Sequence, residues 1–136
     1  MDIKNSTILI TGGTSGIGLE MAKQCLAQGA STIIITGRHA DRLSQIKLQL
    51  PQIHTYQSDV SKPEDIRNLY AFVTKKFSSL NLLINNAGIM RNLDLREHSL
   101  SLDDITAEID INLSGTIRMV HQFLPHLLTK PSAAIV

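Results

Sequence analysis

Apolar residues along the chain fall into two textures. Short runs rich in β-branched and aliphatic residues recur at Thr7–Thr11, Thr32–Thr36, Ile53–Gln57, Leu82–Asn85 and Ala133–Val136. Such near-continuous apolar runs suit strands covered on both faces. Between them the spacing turns helical. Residues 17–28 carry Ile17, Met21, Cys25 and Leu26 on one stripe and stop at Gly29. A second helix, 40–50, places Leu43, Ile46 and Leu50 together and ends before Pro51. The third is announced by Ser61 with Glu64 three residues on and Pro63 between them, the pattern of a capping box. Its apolar face is Ile66, Leu69, Phe72, Val73 and Phe77. Residues 90–102 have weak periodicity and read as a connection with at most a short helix. A long helix is then predicted from about Leu102 towards Leu128, with Ile105, Ile109, Asn112, Leu113, Ile117, Val120 and Leu124 near its inner side.

Strands alternating with helices of this length predict α/β architecture: a doubly wound parallel sheet, one domain over 1–136, with its ligand at the carboxyl ends of the strands where their order reverses. The chain stops at Val136, inside the fifth predicted strand. That strand would be an uncovered edge, so the expectation is a domain truncated at the fifth strand, part of a longer protein or of a shortened reading frame, marginally stable and prone to association.

Composition narrows the classes of function. Thirteen Lys and Arg stand against 12 Asp and Glu, a formal charge of +1, which argues against nucleic acid or an anionic membrane as the partner. No run is long and apolar enough to span a bilayer, and the first residues lack the layout of a secretory signal; the expected location is cytoplasmic. The single Cys25 excludes an intramolecular disulfide and sits on an apolar stripe, as a core thiol does. His39, His54, His98, His121 and His126 show no metal-ligand spacing, so they read as surface residues and no metal site is expected.

The octet Thr11-Gly-Gly-Thr-Ser-Gly-Ile-Gly18 follows the first strand directly. Gly12 permits a tight turn, while Gly16 and Gly18 remove side chains where backbone approaches a pyrophosphate and where the helix packs on the sheet. The helix opening there points free N–H groups at phosphate oxygens. Gly18 is followed by Leu19 and Glu20, not by the Lys-Ser/Thr of a nucleotide-hydrolase loop. At the end of the second strand the chain reads Thr36-Gly-Arg38. A carboxylate there would bind a ribose 2′-hydroxyl; Arg38 instead offers a planar fork for a 2′-phosphate. Its other reading is a surface charge paired with Asp41.

Three further signals accompany the loop: Asp59-Val60, Asn85-Asn-Ala-Gly88, and Asn112 within Ile111-Asn-Leu-Ser-Gly115. Together, in this order and spacing over the whole chain, they resemble the short-chain dehydrogenase/reductase family, and the texture of 50–60 and 124–136 is similar to one bacterial subgroup of it. The resemblance implies a Rossmann-type fold and an NADP cofactor, with NAD as the alternative. It places Gly12, Ser15, Gly16, Ile17 and Gly18 along the pyrophosphate and adjoining ribose, with Arg38 selecting NADP. Asp59 would accept from the adenine amino group, Val60 would lie against the ring, and Asn86, Ala87 and Gly88 would sit beneath the nicotinamide ribose. Asn112 would hold a water that connects the active-site lysine to solvent. On the residues alone, Asp59-Val60 is also a strand end with a turn, Asn85 and Asn86 are also turn residues tying strands together, and Asn112 with Gly115 also reads as a helix kink.

The family's hydride transfer uses a Tyr, a Lys four residues later and a Ser. Tyr56 and Tyr70 are the only tyrosines, and Val60 and Thr74 stand four positions after them. The chain as given therefore lacks that general acid and is expected to be silent on its own. Two functional expectations follow: the cofactor-binding part of an NADP-dependent oxidoreductase acting on a small carbonyl or alcohol, with a homo-oligomer left open, or a non-catalytic nucleotide-binding or interaction module. A methyltransferase-like protein sharing the glycine turn is the third reading; Arg38, Asp59 and Asn85–Gly88 speak against it.

Overall fold

A computed structural model describes residues 2–136. Its elements are β1 (Thr7–Ile10), α1 (Gly16–Ala27), β2 (Thr32–Gly37), α2 (Ala40–Gln49), β3 (His54–Gln57), α3 (Pro63–Lys76), β4 (Leu80–Ile84), α4 (Leu102–Glu108), a π-helical segment Ile109–Gly115, α5 (Thr116–Leu127) and β5 (Ala134–Ile135). The strands form one parallel sheet in the order β3-β2-β1-β4-β5. Ile8, Leu9 and Ile10 of β1 lie beside Ile33, Ile34 and Ile35 on one side and Leu82, Leu83 and Ile84 on the other. The chain winds outward from β1 to β3 and then returns across β1 to β4, so strand order reverses between β1 and β4. This doubly wound Rossmann-type sheet agrees with the alternation of textures in the sequence.

Alternation along buried strands divides the core into two layers. Ile8, Ile10, Ile33, Ile35, Leu82 and Ile84 face α1 and α2, packing on Ala22, Cys25, Leu43 and Ile46. Leu9, Ile34 and Leu83 face the opposite way, onto Ile66, Leu69 and Val73 of α3 and Met119, Phe123 and Leu127 of α5. Cys25 is a core residue, and burial pushes its thiol above the ordinary value.

Four local expectations are corrected. The helix over 102–128 is broken by the π segment, and its inner face is Ile111, Gly115, Met119, Phe123 and Leu127. Ile109, Leu113, Ile117 and Leu124, predicted inside, are exposed. This helix carries two apolar stripes, and periodicity alone does not say which one meets the sheet. At α3 no capping box forms: the cap position is Lys62 without a side-chain cap bond. Ser61 instead donates its hydroxyl to Asp59, and Glu64 pairs with Arg67. Ile17, placed on the apolar stripe of α1, is 76% exposed, because it lines the cleft at the carboxyl ends of the strands. Among the histidines, His54 and His126 are half-buried rather than on the surface. No helix among the described residues is long and apolar enough to cross a membrane.

Candidate functional site

The carboxyl ends of β1, β2, β3 and β4 open into a cleft of about 360 Å³, placed at the reversal of strand order where open α/β sheets take ligands. Gly12, Ser15, Ile17, Gly18, Arg38, Asp59, Val60, Asn86, Ala87 and Gly88 all line it. Of the other two sequence-predicted residues, Gly16 is exposed between the lining residues Ser15 and Ile17, with φ +54° and open space where a Cβ would stand, and Asn112 reaches the cleft only through its neighbour Ile89.

Sterics explain the glycine turn. Gly12 has φ +66°, and a Cβ there would stand 2.8 Å from the Ala87 Cα. A Cβ on Gly18 would meet Asn86 Nδ2 at 2.4 Å and the Gly12 carbonyl oxygen at 2.5 Å. These contacts let α1 start directly against the loop after β4. Ser15 stands at the N-cap of α1 but makes no side-chain cap bond, and the first turn holds no acidic residue. The amide N–H groups and positive dipole end of this turn thus remain available to an anion.

The loop after β4 is tied to β1 by Thr11, which is 1% exposed. Its Oγ1 accepts from the amides of Asn86 and Ala87, each at 3.0 Å. In return Asn86 Nδ2 donates to the carbonyls of Thr11 and Gly12 at 3.0 and 3.1 Å. Turn chemistry and cleft lining coexist here. Asp59 behaves similarly: its Oδ1 accepts from the amide and hydroxyl of Ser61 at 3.0 and 2.7 Å, and its own amide donates to Asp65 Oδ2 at 2.9 Å. The bonds fix the carboxylate at the rim of the cleft.

Arg38 is exposed, and its carbonyl accepts from Gln57 Nε2 at 3.0 Å. Among the described residues the ion pairs are Arg67–Glu64, Arg91–Glu108 and Arg96–Asp94, so the alternative pairing of Arg38 with Asp41 does not form. Asn112 commits its side chain to one residue: Oδ1 accepts from the Ile89 amide at 2.8 Å, and Nδ2 donates to the Ile89 carbonyl at 2.7 Å. Its own carbonyl accepts from the Thr116 hydroxyl at 3.0 Å. Asn112 and Gly115 both lie in the π-helical segment.

Sequence reasoning missed several lining residues. Arg42, in the first turn of α2, adds a second guanidinium beside Arg38, while Thr36 and Ser58 close the floor. The side-chain oxygens of Thr36 and Ser58 are buried and find no partner among the described residues. Buried hydroxyls without partners are uncommon, and here they sit where a polar ligand would satisfy them. Only the Arg42 spacing, one helical turn beyond Arg38, carried a readable signal.

An uncapped helix N-terminus, a glycine turn and a polar floor at the strand reversal define an α/β protein of the Rossmann type. The family model described as short chain dehydrogenase matches residues 6–136, and the chain belongs to that family, whose members bind NAD or NADP. Over its full length it is 43% identical to the uncharacterized oxidoreductase DltE of Bacillus subtilis, covering 54% of that protein. It is 37% identical over 116 residues to a farnesol dehydrogenase of Aedes aegypti, with 80% of this chain and 46% of that protein covered. A short-chain dehydrogenase from Streptomyces avermitilis superposes with a TM-score of 0.84 over 97% of this chain and 48% of that one, and at 24% identity this likeness concerns the fold alone. The chain spans about half the length of the curated relatives it matches.

Proposed function

We propose that the chain is the cofactor-binding part of an NADP(H)-dependent oxidoreductase that interconverts a small carbonyl compound and an alcohol. The observation that carries the NADP reading is the pair Arg38 and Arg42 at the β2 end of the cleft, with no carboxylate on the β2 end itself. In this reading the α1 N-terminus and Gly12–Gly18 hold the pyrophosphate, and the two guanidinium groups hold the 2′-phosphate. Thr36 and Ser58 offer their hydroxyls to the adenosine side. Asp59 and Val60 present a carboxylate and an apolar surface to adenine, and Asn86, Ala87 and Gly88 support the nicotinamide ribose. When bound, the nicotinamide supplies the hydride. Asn112 spends one lone pair and one hydrogen of its side-chain amide on Ile89, and the lone pair and hydrogen left over are what a water of a proton relay would use.

The chain contains no Tyr-x-x-x-Lys, which favours a second reading, a nucleotide-binding module without turnover. Both readings predict NADP binding; only the first predicts hydride transfer once the chain is joined to a segment bearing Tyr-x-x-x-Lys. A cytoplasmic location belongs to the same proposal. The exposed apolar residues Ile109, Leu113, Ile117 and Leu124 on one helix support self-association.

The test is titration of the wild-type chain and Arg38→Asp with NADPH and NADH. We expect NADPH to bind the wild type more tightly than NADH and the substitution to reverse that order. Equal affinities in the wild type would remove the NADP assignment, and no binding of either would remove the dinucleotide reading.

A further inference from the structure

Two residues that no part of the preceding reading uses lie against the adenine side of the cleft from behind. Gly115 ends the π segment, and a Cβ built there would stand 2.9 Å from Val60 Cγ2 and 3.0 Å from the Val60 carbonyl oxygen. One turn on, half-buried Arg118 donates from Nη1 to the Ser61 carbonyl at 3.1 Å. Ser61 is the residue whose amide and hydroxyl hold the Asp59 carboxylate. A continuous path thus runs from the helix through Arg118 and Ser61 to Asp59, while the bare face of Gly115 sets the height of Val60.

Three residues earlier, Asn112 holds the backbone of Ile89 at the other end of the cleft. Spaced three residues apart, Asn112, Gly115 and Arg118 each reach one of the two cleft loops. A single helical element therefore grips the loop after β3 and the loop after β4 and sets the distance between them.

We infer that Gly115 and Arg118 are positioning residues for the adenine end of the cofactor: they hold Val60 and Asp59 in the orientation that receives it. This inference rests on the dinucleotide reading above. Arg118→Met keeps the aliphatic stem and removes the donor; Gly115→Ala pushes Val60 outward. Neither change touches the glycine turn or the Arg38 and Arg42 side chains.

The experiment measures binding of adenosine 2′,5′-bisphosphate, which carries adenine and the 2′-phosphate but no nicotinamide, to the wild-type chain, Arg118→Met, Arg118→Lys and Gly115→Ala. Amide hydrogen exchange at 59–61 and at 8–10 is followed in the same samples. Loss of one charge-assisted bond predicts weakening by about fivefold or more in Arg118→Met. Exchange should quicken at 59–61 and stay unchanged at 8–10, and Arg118→Lys should recover most of the affinity. Should Arg118→Met fail to fold, Arg118→Gln, whose amide is too short to reach Ser61, is compared with Arg118→Lys in its place. Affinity within twofold of wild type in both Arg118→Met and Gly115→Ala overturns the inference while leaving the dinucleotide reading intact. Equal loss of exchange protection at 8–10 and 59–61 also overturns it, since the role is then general packing. No binding of the bisphosphate or of NADPH by the wild type overturns both.

Discussion

Asn112 and Ile89 are joined by two hydrogen bonds in opposite senses, the Ile89 amide donating to Oδ1 and Nδ2 donating to the Ile89 carbonyl. A side-chain amide used in this way acts as a strand neighbour: it satisfies both polar groups of one backbone residue where the chain has left β4 and has no ladder partner. The bond pair anchors the π segment to the loop that carries Asn86, Ala87 and Gly88.

Replacing Asn112 with Leu removes both bonds at a site that water reaches. We expect a loss of about 1 kcal/mol in urea unfolding and a clear acceleration of amide exchange at Ile89. Unchanged exchange at that amide would show that the clamp does not restrain the loop in solution.

Thr11 is a stricter case, because its hydroxyl is buried and accepts from two amides. Thr11→Val keeps the shape and strands the amides of Asn86 and Ala87, so a loss of about 1–3 kcal/mol is expected. Thr11→Ser should retain most of the stability. Urea midpoints of the two variants, measured beside the wild type, decide the point.

The reassigned face of the last helix makes a paired prediction. Phe123→Ala removes a ring that is fully buried and packed edge-on against Tyr70 at 5.3 Å, and should cost about 3–5 kcal/mol. Ile117→Ala, at a position 59% exposed, should change stability by less than about 0.5 kcal/mol. Comparable losses at both sites would return the helix to the orientation expected from periodicity. If the exposed stripe mediates self-association, Ile117→Ala should also lower the weight-average mass seen in sedimentation.

His54 links stability to pH. Its imidazolium is disfavoured first by burial and then by the nearby charges of Lys47 and Lys76, and its ring lies 4.7 Å from Phe77. A histidine whose folded value lies below the unfolded one binds protons more readily when unfolded. Stability is therefore full above the ordinary value of 6.5 and declines as the pH falls through it towards the lowered folded value. His126, held down by burial and then by Lys130, acts in the same direction. The difference in unfolding midpoint between about pH 7.5 and about pH 5.5 should shrink in His54→Gln; an unchanged difference would place the acid sensitivity elsewhere.

Much of this protein was legible in its sequence because the relevant physics is local. A run such as Thr7–Ile10 suits a strand covered on both faces, and Gly12 and Gly18 after it stand where a side chain would clash, while Gly16 takes a left-handed φ of +54°. Arg38, Asp59 and Asn86 could be placed at strand ends by counting, so their arrival at one cleft followed from the topology of a doubly wound sheet. The capping residue of α3 could not be counted in this way, because Ser61 had two possible partners, and it went to Asp59 once the turn brought that carboxylate close.

Tertiary structure alone decided the rest. Nothing local distinguishes the stripe Ile109, Leu113, Ile117 from the stripe Ile111, Met119, Phe123; the sheet selects one because only its residues fill the space beside Leu9, Ile34 and Leu83. The roles of Thr11, Ser58, Gly115 and Arg118 arise from contacts between segments tens of residues apart, as in the 57-residue separation of Arg118 from Ser61. Periodicity reports how one element is made, whereas such contacts exist only after the elements have been packed together.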